Sequence, residues 1–285
     1  MPWLILITLS LVWGSSFILM KRGMDAFSDT EVAALRISIA SLSLAPLLIK
    51  HRGIDFKKFW PGLVMMGVFG NLIPAFLFTA AETKISSSLA GMLNALTPIF
   101  TLLVGMVWLK SKPKRTQVTG LILGFLAASA LLLAGTGGGS MGHLGYGLLV
   151  VLATFSYALS VNSIRYFLGG LAAIPATAWA FAIIGLPALV YLFGFTEFTH
   201  HVQNQPKAYA SLGYICILAI VGTAMSVILF NVLIRQAGAL FASTCTYLIP
   251  IVAVMWGLVD GEQVQFSQLI CIACVILSVY LINGD

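Results

Sequence analysis

The chain of 285 residues is 60% hydrophobic and only 8% charged, with a formal net charge of +6. Soluble globular proteins carry about 25% charged residues, so this composition excludes a soluble enzyme, a disordered chain and a nucleic-acid-binding domain. We therefore expect a protein whose main surroundings are a lipid bilayer, with no nucleic-acid partner.

Ten segments are long and apolar enough to be membrane spans, since a helix crosses a bilayer with about 20 apolar residues. Nine contain no charged residue, and the second contains Glu31 near its start and Arg36 within it. In lipid the backbone must satisfy its own hydrogen bonds, so helices are expected; a β-barrel would require alternating polar and apolar residues, a pattern these segments lack. The sequence predicts an all-α polytopic membrane protein with spans 1 to 10 at 3–20, 30–49, 59–81, 85–109, 116–142, 144–164, 166–196, 208–234, 236–259 and 263–284.

The distribution of Lys and Arg predicts the orientation of the spans. With the N-terminus in the cytoplasm, ten Lys and Arg fall in cytoplasmic connections and four in outer ones. Cytoplasmic loops of membrane proteins carry the excess of positive residues. We therefore expect both termini in the cytoplasm and the chain in a cell (inner) membrane.

The sequence contains a weak internal repeat. Residues 90–100 align with residues 242–252 at an offset of 152, which places Pro98 opposite Pro250 in spans 4 and 9. This register predicts two five-helix repeats, residues 1–139 and 140–285, joined at the glycine-rich stretch 135–140. Because five is odd, the second repeat is inverted in the membrane, an arrangement typical of transporters with a binding site near the membrane midplane.

Polar, aromatic and charged residues inside the spans are the candidate site residues, because they cost free energy in lipid unless they are paired or solvated. The alternative for each is a hydrogen bond between helices. For Arg36 the functional partner is a substrate carboxylate, and the structural alternatives are Glu31, Glu82 or free backbone carbonyls. The residues expected to bind or translocate substrate are Trp13, Ser16, Arg36, Asn94, Thr97, Tyr157, Thr246 and Tyr247.

Two prolines are candidate hinges. Pro98 and Pro250 each remove a backbone hydrogen bond, and their matched positions favour matched gates. A static kink that improves packing is the alternative.

The spans contain no Ser/His/Asp set, carboxylate pair or metal-ligand cluster. We therefore expect no enzymatic activity, no cofactor and no metal. The function favoured is secondary transport of a small molecule, and the alternative is a channel-like facilitator or a structural membrane subunit. A channel would show a selectivity filter or rings of charge, and neither pattern is visible.

Several short motifs, in this order along the chain, resemble a known family: residues 13–17 (WGSSF), 34–36 (ALR), 96–98 (LTP), 247–250 (YLIP) and 261–262 (GE). Together they resemble the EamA-type branch of the drug/metabolite transporter superfamily, and the resemblance covers essentially the whole chain. It implies ten helices in two inverted halves, and export of amino acids and other small metabolites by alternating access. The largely uncharged interior of the spans favours zwitterionic or neutral metabolites among these. A monomer or homodimer is expected. One departure is Lys110, which occupies the position that answers Glu262 in the first half.

Overall fold

The computed structural model describes residues 2–108, 110, 113–135 and 141–283, and these residues form helices and turns without a strand. The predicted all-α class is therefore confirmed. The ten apolar helices are α1 Pro2–Gly23, α2 Asp29–Lys50, α3 Phe56–Glu82, α4 Ser87–Trp108, α5 Arg115–Gly135, α6 Met141–Phe167, α7 Ala173–Phe195, α8 Ala208–Gly238, α9 Ile249–Val259 and α10 Phe266–Asn283.

Seven of these helices are long and apolar enough to cross a membrane: α1 to α4 and α6 to α8. Within the described residues the apolar segments of α5, α9 and α10 are shorter, and they are Arg115–Leu131, Ile249–Val259 and Phe266–Ile282. The sequence predicted full-length spans there. A further short helix, Phe198–Asn204, connects α7 to α8. The predicted boundary between the two repeats, at residues 139 and 140, lies outside the described residues.

Two helices contain π-helical turns at matched positions. Val68–Leu72 interrupts α3 and Ile220–Met225 interrupts α8, and the two turns begin 152 positions apart. A π turn leaves regular backbone hydrogen bonds unmade, and a side chain replaces one in each case. The Asn71 amide donates to the Met66 carbonyl at 3.0 Å, and the Thr223 hydroxyl donates to the Leu218 carbonyl at 3.0 Å.

The chain is also interrupted immediately before both candidate hinge prolines. In α4 the helical segment Ser87–Asn94 ends before a turn, and Pro98 is the second residue of the segment Thr97–Trp108. Pro250 is likewise the second residue of α9, after the 3-10 turn Thr244–Tyr247. In the first turn of a helix proline removes no intrahelical hydrogen bond. Both prolines are buried, and their role as hinges stays a prediction.

Close packing at two glycines brings the central helices together. A Cβ on Gly70 would lie 2.3 Å from the Ser160 Oγ, and a Cβ on Gly222 would lie 3.1 Å from the Ser16 Oγ. Glycine therefore lets α3 approach α6, and α8 approach α1. These four helices, with α2 and α4, surround the interior of the bundle, while α5 packs on α10 at Gly120 and Gly124.

Candidate functional site

A cavity of about 110 Å³ lies between α1, α2, α3, α4, α6 and α8. This volume has room for several waters or a small metabolite. Seven of the eight candidate binding residues line it: Trp13, Ser16, Arg36, Asn94, Thr97, Tyr157 and Thr246. The side chain of the eighth, Tyr247, lies outside the described residues. The hinge candidate Pro98 follows the cavity-lining Thr97 in the chain, and neither Pro98 nor Pro250 lines the cavity itself.

The walls contributed by α1 and α6 correspond residue by residue. Each helix presents four side chains at positions i, i+3, i+4 and i+7, which lie on one face of a helix. Every residue of α6 in this set is 144 positions after its counterpart in α1. The pairs are Trp13 and Tyr157, Ser16 and Ser160, Phe17 and Val161, and Met20 and Ile164.

The walls from α3 and α8 correspond in the same way, at the offset of 152. Gly70 and Gly222 line the cavity from the two π turns, and Phe78 and Phe230 line it two turns further along. The aromatic contacts repeat as well. The Phe230 ring packs on Trp13 at 5.1 Å between centroids, and the Phe78 ring packs on Tyr157 at 6.0 Å.

The Trp13 indole connects the first wall to the second. Its Nε1–H donates to the Gly222 carbonyl at 3.0 Å. This bond fixes the ring against the π turn of α8 and satisfies a carbonyl there. Trp13 therefore contributes an apolar ring face to the cavity while its polar atom is already bonded.

Arg36 departs from this correspondence and is the cationic group of the cavity wall. The helices α2 and α7 follow N-cap residues Ser28 and Ala172, 144 positions apart, so the counterpart of Arg36 is Ala180, which is buried. The capping box of Ser28 with Glu31 fixes the start of α2 and thereby the direction in which Arg36 points. One guanidinium thus makes the cavity chemically asymmetric.

The contacts of Arg36 are to neutral groups. Its Nε donates to the Thr223 Oγ1 at 2.8 Å, its Nη1 lies 3.6 Å from the Met20 Sδ, and the Tyr157 hydroxyl lies beside it. Within the described part of the chain, no carboxylate oxygen lies within 4.0 Å of the guanidinium.

Neither of the two carboxylates that the sequence suggested as structural partners, Glu31 and Glu82, forms an ion pair with Arg36. The carboxylate of Glu31 accepts from the Ser28 backbone N–H at 2.8 Å and lies 2.9 Å from the His201 Nδ1. Glu82 forms no ion pair with Arg36. The hydrogen-bonding partner is instead the Thr223 hydroxyl in the π turn of α8, which is possible because that hydroxyl donates to Leu218 and retains lone pairs.

Two asparagines in the wall retain an unused acceptor. Asn94 and Asn231 both line the cavity. The Oδ1 atom of each is buried and has no hydrogen-bond partner among the described residues. The Asn231 amide donates to the Thr177 Oγ1 at 2.9 Å, which orients its oxygen. An amide oxygen can accept two hydrogen bonds, so each asparagine keeps unused acceptor capacity.

One end of the bundle is closed by a contact that we call the Glu262 latch, formed by Glu262 with Lys21, Ser87 and Ser88. Glu262 follows α9 and accepts from the backbone N–H and hydroxyl of Ser87 at 3.1 and 2.8 Å. It also accepts from the same groups of Ser88 at 3.0 and 2.6 Å, and from the Lys21 Nζ at 2.8 Å. The latch therefore joins the ends of α1 and α9 to the start of α4.

Local sequence explains how Glu262 reaches these donors. Gly261 adopts φ +81°, which ends α9, and the Glu262 backbone N–H donates to the Gly257 carbonyl at 2.8 Å. A Cβ on Gly257 would lie 1.8 Å from the Ser88 Oγ, so only glycine leaves room. Burial raises the pKa of Glu262, but the hydrogen bonds from Lys21, Ser88 and Ser87 outweigh it and lower the pKa to about 2.

The latch has no matching counterpart in the first half. The position that answers Glu262 is Lys110, which is exposed and adopts φ +51°. An ammonium group cannot accept hydrogen bonds from a helix N-terminus. The first half therefore carries a cation at the position where the second half carries the carboxylate of the latch.

Several wall residues were absent from the sequence-based set: Phe17, Met20, Phe78, Phe230 and the two π-turn glycines Gly70 and Gly222. The sequence signal for four of them is the offset of 152, at which glycine meets glycine and phenylalanine meets phenylalanine.

Apolar helices that enclose a polar and aromatic cavity, with helix interruptions at its wall, have the construction of a membrane transporter. The chain belongs to the EamA-like transporter family, whose model matches residues 1–133 and 144–284.

Relatives in this family are distant in sequence but similar in length. The chain is 22% identical to the uncharacterized inner membrane transporter YedA of Escherichia coli, over 98% of this chain and 89% of the relative. It is 24% identical to a probable terminal-alkyne amino-acid exporter of Streptantibioticus cattleyicolor, over 99% and 92%. It is 26% identical to an S-adenosylmethionine/S-adenosylhomocysteine transporter of Chlamydia muridarum, over 96% and 89%.

Proposed function

We propose that this chain is a secondary transporter that exports amino acids or similar zwitterionic metabolites by alternating access. The observation that carries the proposal is Arg36, a guanidinium in the cavity wall without a carboxylate partner among the described residues. A permanently charged, planar donor group of this kind suits a carboxylate ligand. A bound substrate carboxylate would neutralise the positive charge of Arg36.

The asparagine oxygens supply the second half of a zwitterion site. The unpartnered Oδ1 atoms of Asn94 and Asn231 can accept from a substrate ammonium. The rings of Trp13, Phe78 and Phe230 provide an apolar surface for the rest of the molecule. The cavity thus offers a donor for a carboxylate, acceptors for an amine and an apolar wall.

The named cargo of two relatives is consistent with this site. One relative is named for an amino acid and the other for S-adenosylmethionine and S-adenosylhomocysteine. Both kinds of molecule contain an α-amino acid group, although their other parts differ. We infer that the amino acid group is the part recognised by Arg36 and the asparagines.

We further propose ten spans in two inverted repeats, residues 1–139 and 140–285, with both termini in the cytoplasm of an inner membrane. The proposal is supported by the matched π turns, by the paired walls of the cavity and by the two stretches matched by the family model. The inner-membrane assignment is supported by the similarity to YedA. In this orientation the Glu262 latch lies at the outer face.

Alternating access would use the latch, the interruption within α4 and the 3-10 turn that precedes α9. With the latch closed, the outer end is held together and the cavity serves the cytoplasmic side. The interruptions before Pro98 and Pro250 allow the segment that follows each of them, Thr97–Trp108 in α4 and the whole of α9, to reorient. Release of substrate outside then requires the latch to open.

Counterflow in proteoliposomes tests the function. Vesicles are loaded with unlabelled amino acid, and uptake of labelled amino acids is compared with uptake of the matching amines and of the matching deaminated acids. We expect saturable uptake that is accelerated by internal substrate and that requires both polar groups. Flux that is linear in concentration and insensitive to internal substrate would indicate a channel-like facilitator, and the absence of any flux would favour a structural subunit.

Arg36→Gln tests the site. A hydrogen bond to a charged group contributes about 1.5–3 kcal/mol, so apparent affinity for amino acids should fall about 10- to 100-fold while the protein stays monodisperse. Arg165→Gln is the matched control, because Arg165 is exposed at the end of α6. Normal counterflow by a stable Arg36→Gln protein would refute the role of Arg36.

A further inference from the structure

Glu82 is a buried carboxyl group that the proposed transport cycle does not yet use. It is the last residue of α3 and only 8% exposed. Neither of its carboxyl oxygens has a hydrogen-bond partner within the part of the chain that the structure describes. Burying an ionised carboxylate without partners is costly, and such a group takes up a proton instead. The site therefore suits the neutral acid.

The charged and titratable groups around Glu82 come from each element packed against it. They are Lys21 from α1, Arg36 from α2, Tyr157 from α6 beside the Phe78 ring, and Glu262 from the connection after α9. The first segment of α4, Ser87–Asn94, contributes no titratable side chain. Two cations and two acids thus define the electrostatics of the site.

Both cations are bound to other groups. Lys21 lies 2.6 Å from Asp260 and 2.8 Å from Glu262, and Arg36 donates to Thr223. Phe78, one helical turn before Glu82, lines the cavity. Glu82 therefore lies between two parts of the protein. Arg36 and the cavity are on one side of it, and Lys21 and the Glu262 latch are on the other.

We propose that Glu82 binds a proton that is transported together with the substrate carboxylate, in the same direction. This inference rests on the proposed function, because it requires that Arg36 holds the carboxylate. When Glu82 is ionised, its negative charge lies close enough to compete with the substrate for the field of Arg36. When Glu82 is neutral, the full charge of Arg36 is available to the substrate.

Linkage makes this effect reciprocal: a proton on Glu82 tightens carboxylate binding, and a bound carboxylate tightens proton binding by the same factor. The proton is taken from water at the open face and returned to water at the other face, and no covalent bond other than O–H is made or broken. The cycle therefore moves one proton with each substrate. Export then proceeds when the cytoplasmic substrate gradient exceeds the opposing proton gradient.

Infrared titration of the purified protein measures the proton directly and needs no substrate. We expect the carbonyl stretch of a protonated carboxylic acid at neutral pH, lost in Glu82→Gln and retained in Glu197→Gln, whose side chain is 79% exposed. Glu82→Asp keeps a carboxyl group and should keep a titrating band. If wild-type protein shows no such band, or if Glu82→Gln retains it, the proposal is overturned.

A pH gradient across proteoliposomes measures the coupling, using an amino acid that gives counterflow. Wild-type protein should accumulate it in the alkaline compartment, and counterflow should fall about tenfold per pH unit above the titration point of the infrared band. Glu82→Gln should show neither response, and Glu82→Asp should restore both. Accumulation in the acidic compartment, or a Glu82→Gln protein that still follows the gradient, would contradict cotransport. If no amino acid gives counterflow, the proposed function fails, while the infrared titration still tests Glu82.

Discussion

The Glu262 latch makes a quantitative prediction for Glu262→Gln. The carboxylate accepts five hydrogen bonds, three on its Oε1 from Lys21 and Ser87 and two on its Oε2 from Ser88. A glutamine amide has one acceptor oxygen, and its NH₂ group would face donors at the other position. At least the two bonds from Ser88, or the three from Ser87 and Lys21, are lost.

The expected magnitude follows from this geometry. Hydrogen bonds to a charged acceptor contribute about 1.5–3 kcal/mol each, so losing two at the low end costs about 3 kcal/mol. Each 1.4 kcal/mol is a factor of ten in an equilibrium constant. The population with this end of the bundle open should rise about a hundredfold.

Cysteine labelling measures that population. The four native cysteines, Cys216, Cys245, Cys271 and Cys274, are replaced by serine, and Met20→Cys supplies a reporter in the cavity wall beside Lys21. A membrane-impermeant maleimide is added at the outer face. We expect labelling about a hundredfold faster in Glu262→Gln and unchanged in Glu197→Gln. Equal rates in wild type and Glu262→Gln would refute the reasoning.

The pH dependence of the latch has a defined sign. The pKa of Glu262 is lowered to about 2 in the closed latch, below its ordinary value. The contribution of the carboxylate is therefore fully present above the ordinary value and is lost as pH falls toward 2. The ratio of the labelling rates of Glu262→Gln and wild type should be constant between about pH 6 and pH 8, because the pH dependence of the thiolate is the same in both proteins and cancels in the ratio. This pH dependence distinguishes the latch from Glu82, for which we propose a proton that is bound at neutral pH.

Three further substitutions test the cavity and the hinges. Trp13→Phe removes the N–H that donates to the Gly222 carbonyl. Because one neutral hydrogen bond contributes about 1 kcal/mol, apparent substrate affinities in a competition panel should change several-fold. Identical competition profiles would assign Trp13 to packing. Pro98→Ala and Pro250→Ala each restore a backbone N–H donor at a helix interruption, and we expect them to slow counterflow while the unfolding temperature changes little. A lower unfolding temperature with a normal counterflow rate per folded molecule would show that the prolines are static kinks.

Hydropathy predicts the apolar helices because charged residues are few and nine of the ten predicted spans contain none. The sequence boundaries differ at charged residues, since Lys21 and Arg22 remain inside the last turn of α1; long basic side chains can reach the interface from there. Hydropathy does not predict the short length of α9. The predicted span 236–259 is instead divided by the 3-10 turn Thr244–Tyr247, which separates the helical residues that end at Ser243 from the start of α9 at Ile249.

Polar residues within the spans predict much of the cavity wall, because the cost of burying them restricts where they can lie. The phenylalanines of the wall were missed, since an apolar residue in an apolar span carries no such signal. The contacts that distinguish Arg36, Glu82 and Glu262 depend on which helices meet. The sequence gives the charge of these residues but not their partners, which lie up to 241 positions away along the chain.

Thr223 ties the shape of a helix to the charge in the cavity. Its hydroxyl bridges the Leu218 carbonyl inside the π turn and the Nε of Arg36. A π turn holds about one residue more than an α-helical turn, so returning α8 to regular winding would rotate one side of the helix against the other by about 100°. Such rewinding would break both bonds together and release the guanidinium. Under the proposed function, a local change in helical pitch would therefore change how firmly Arg36 holds the substrate carboxylate.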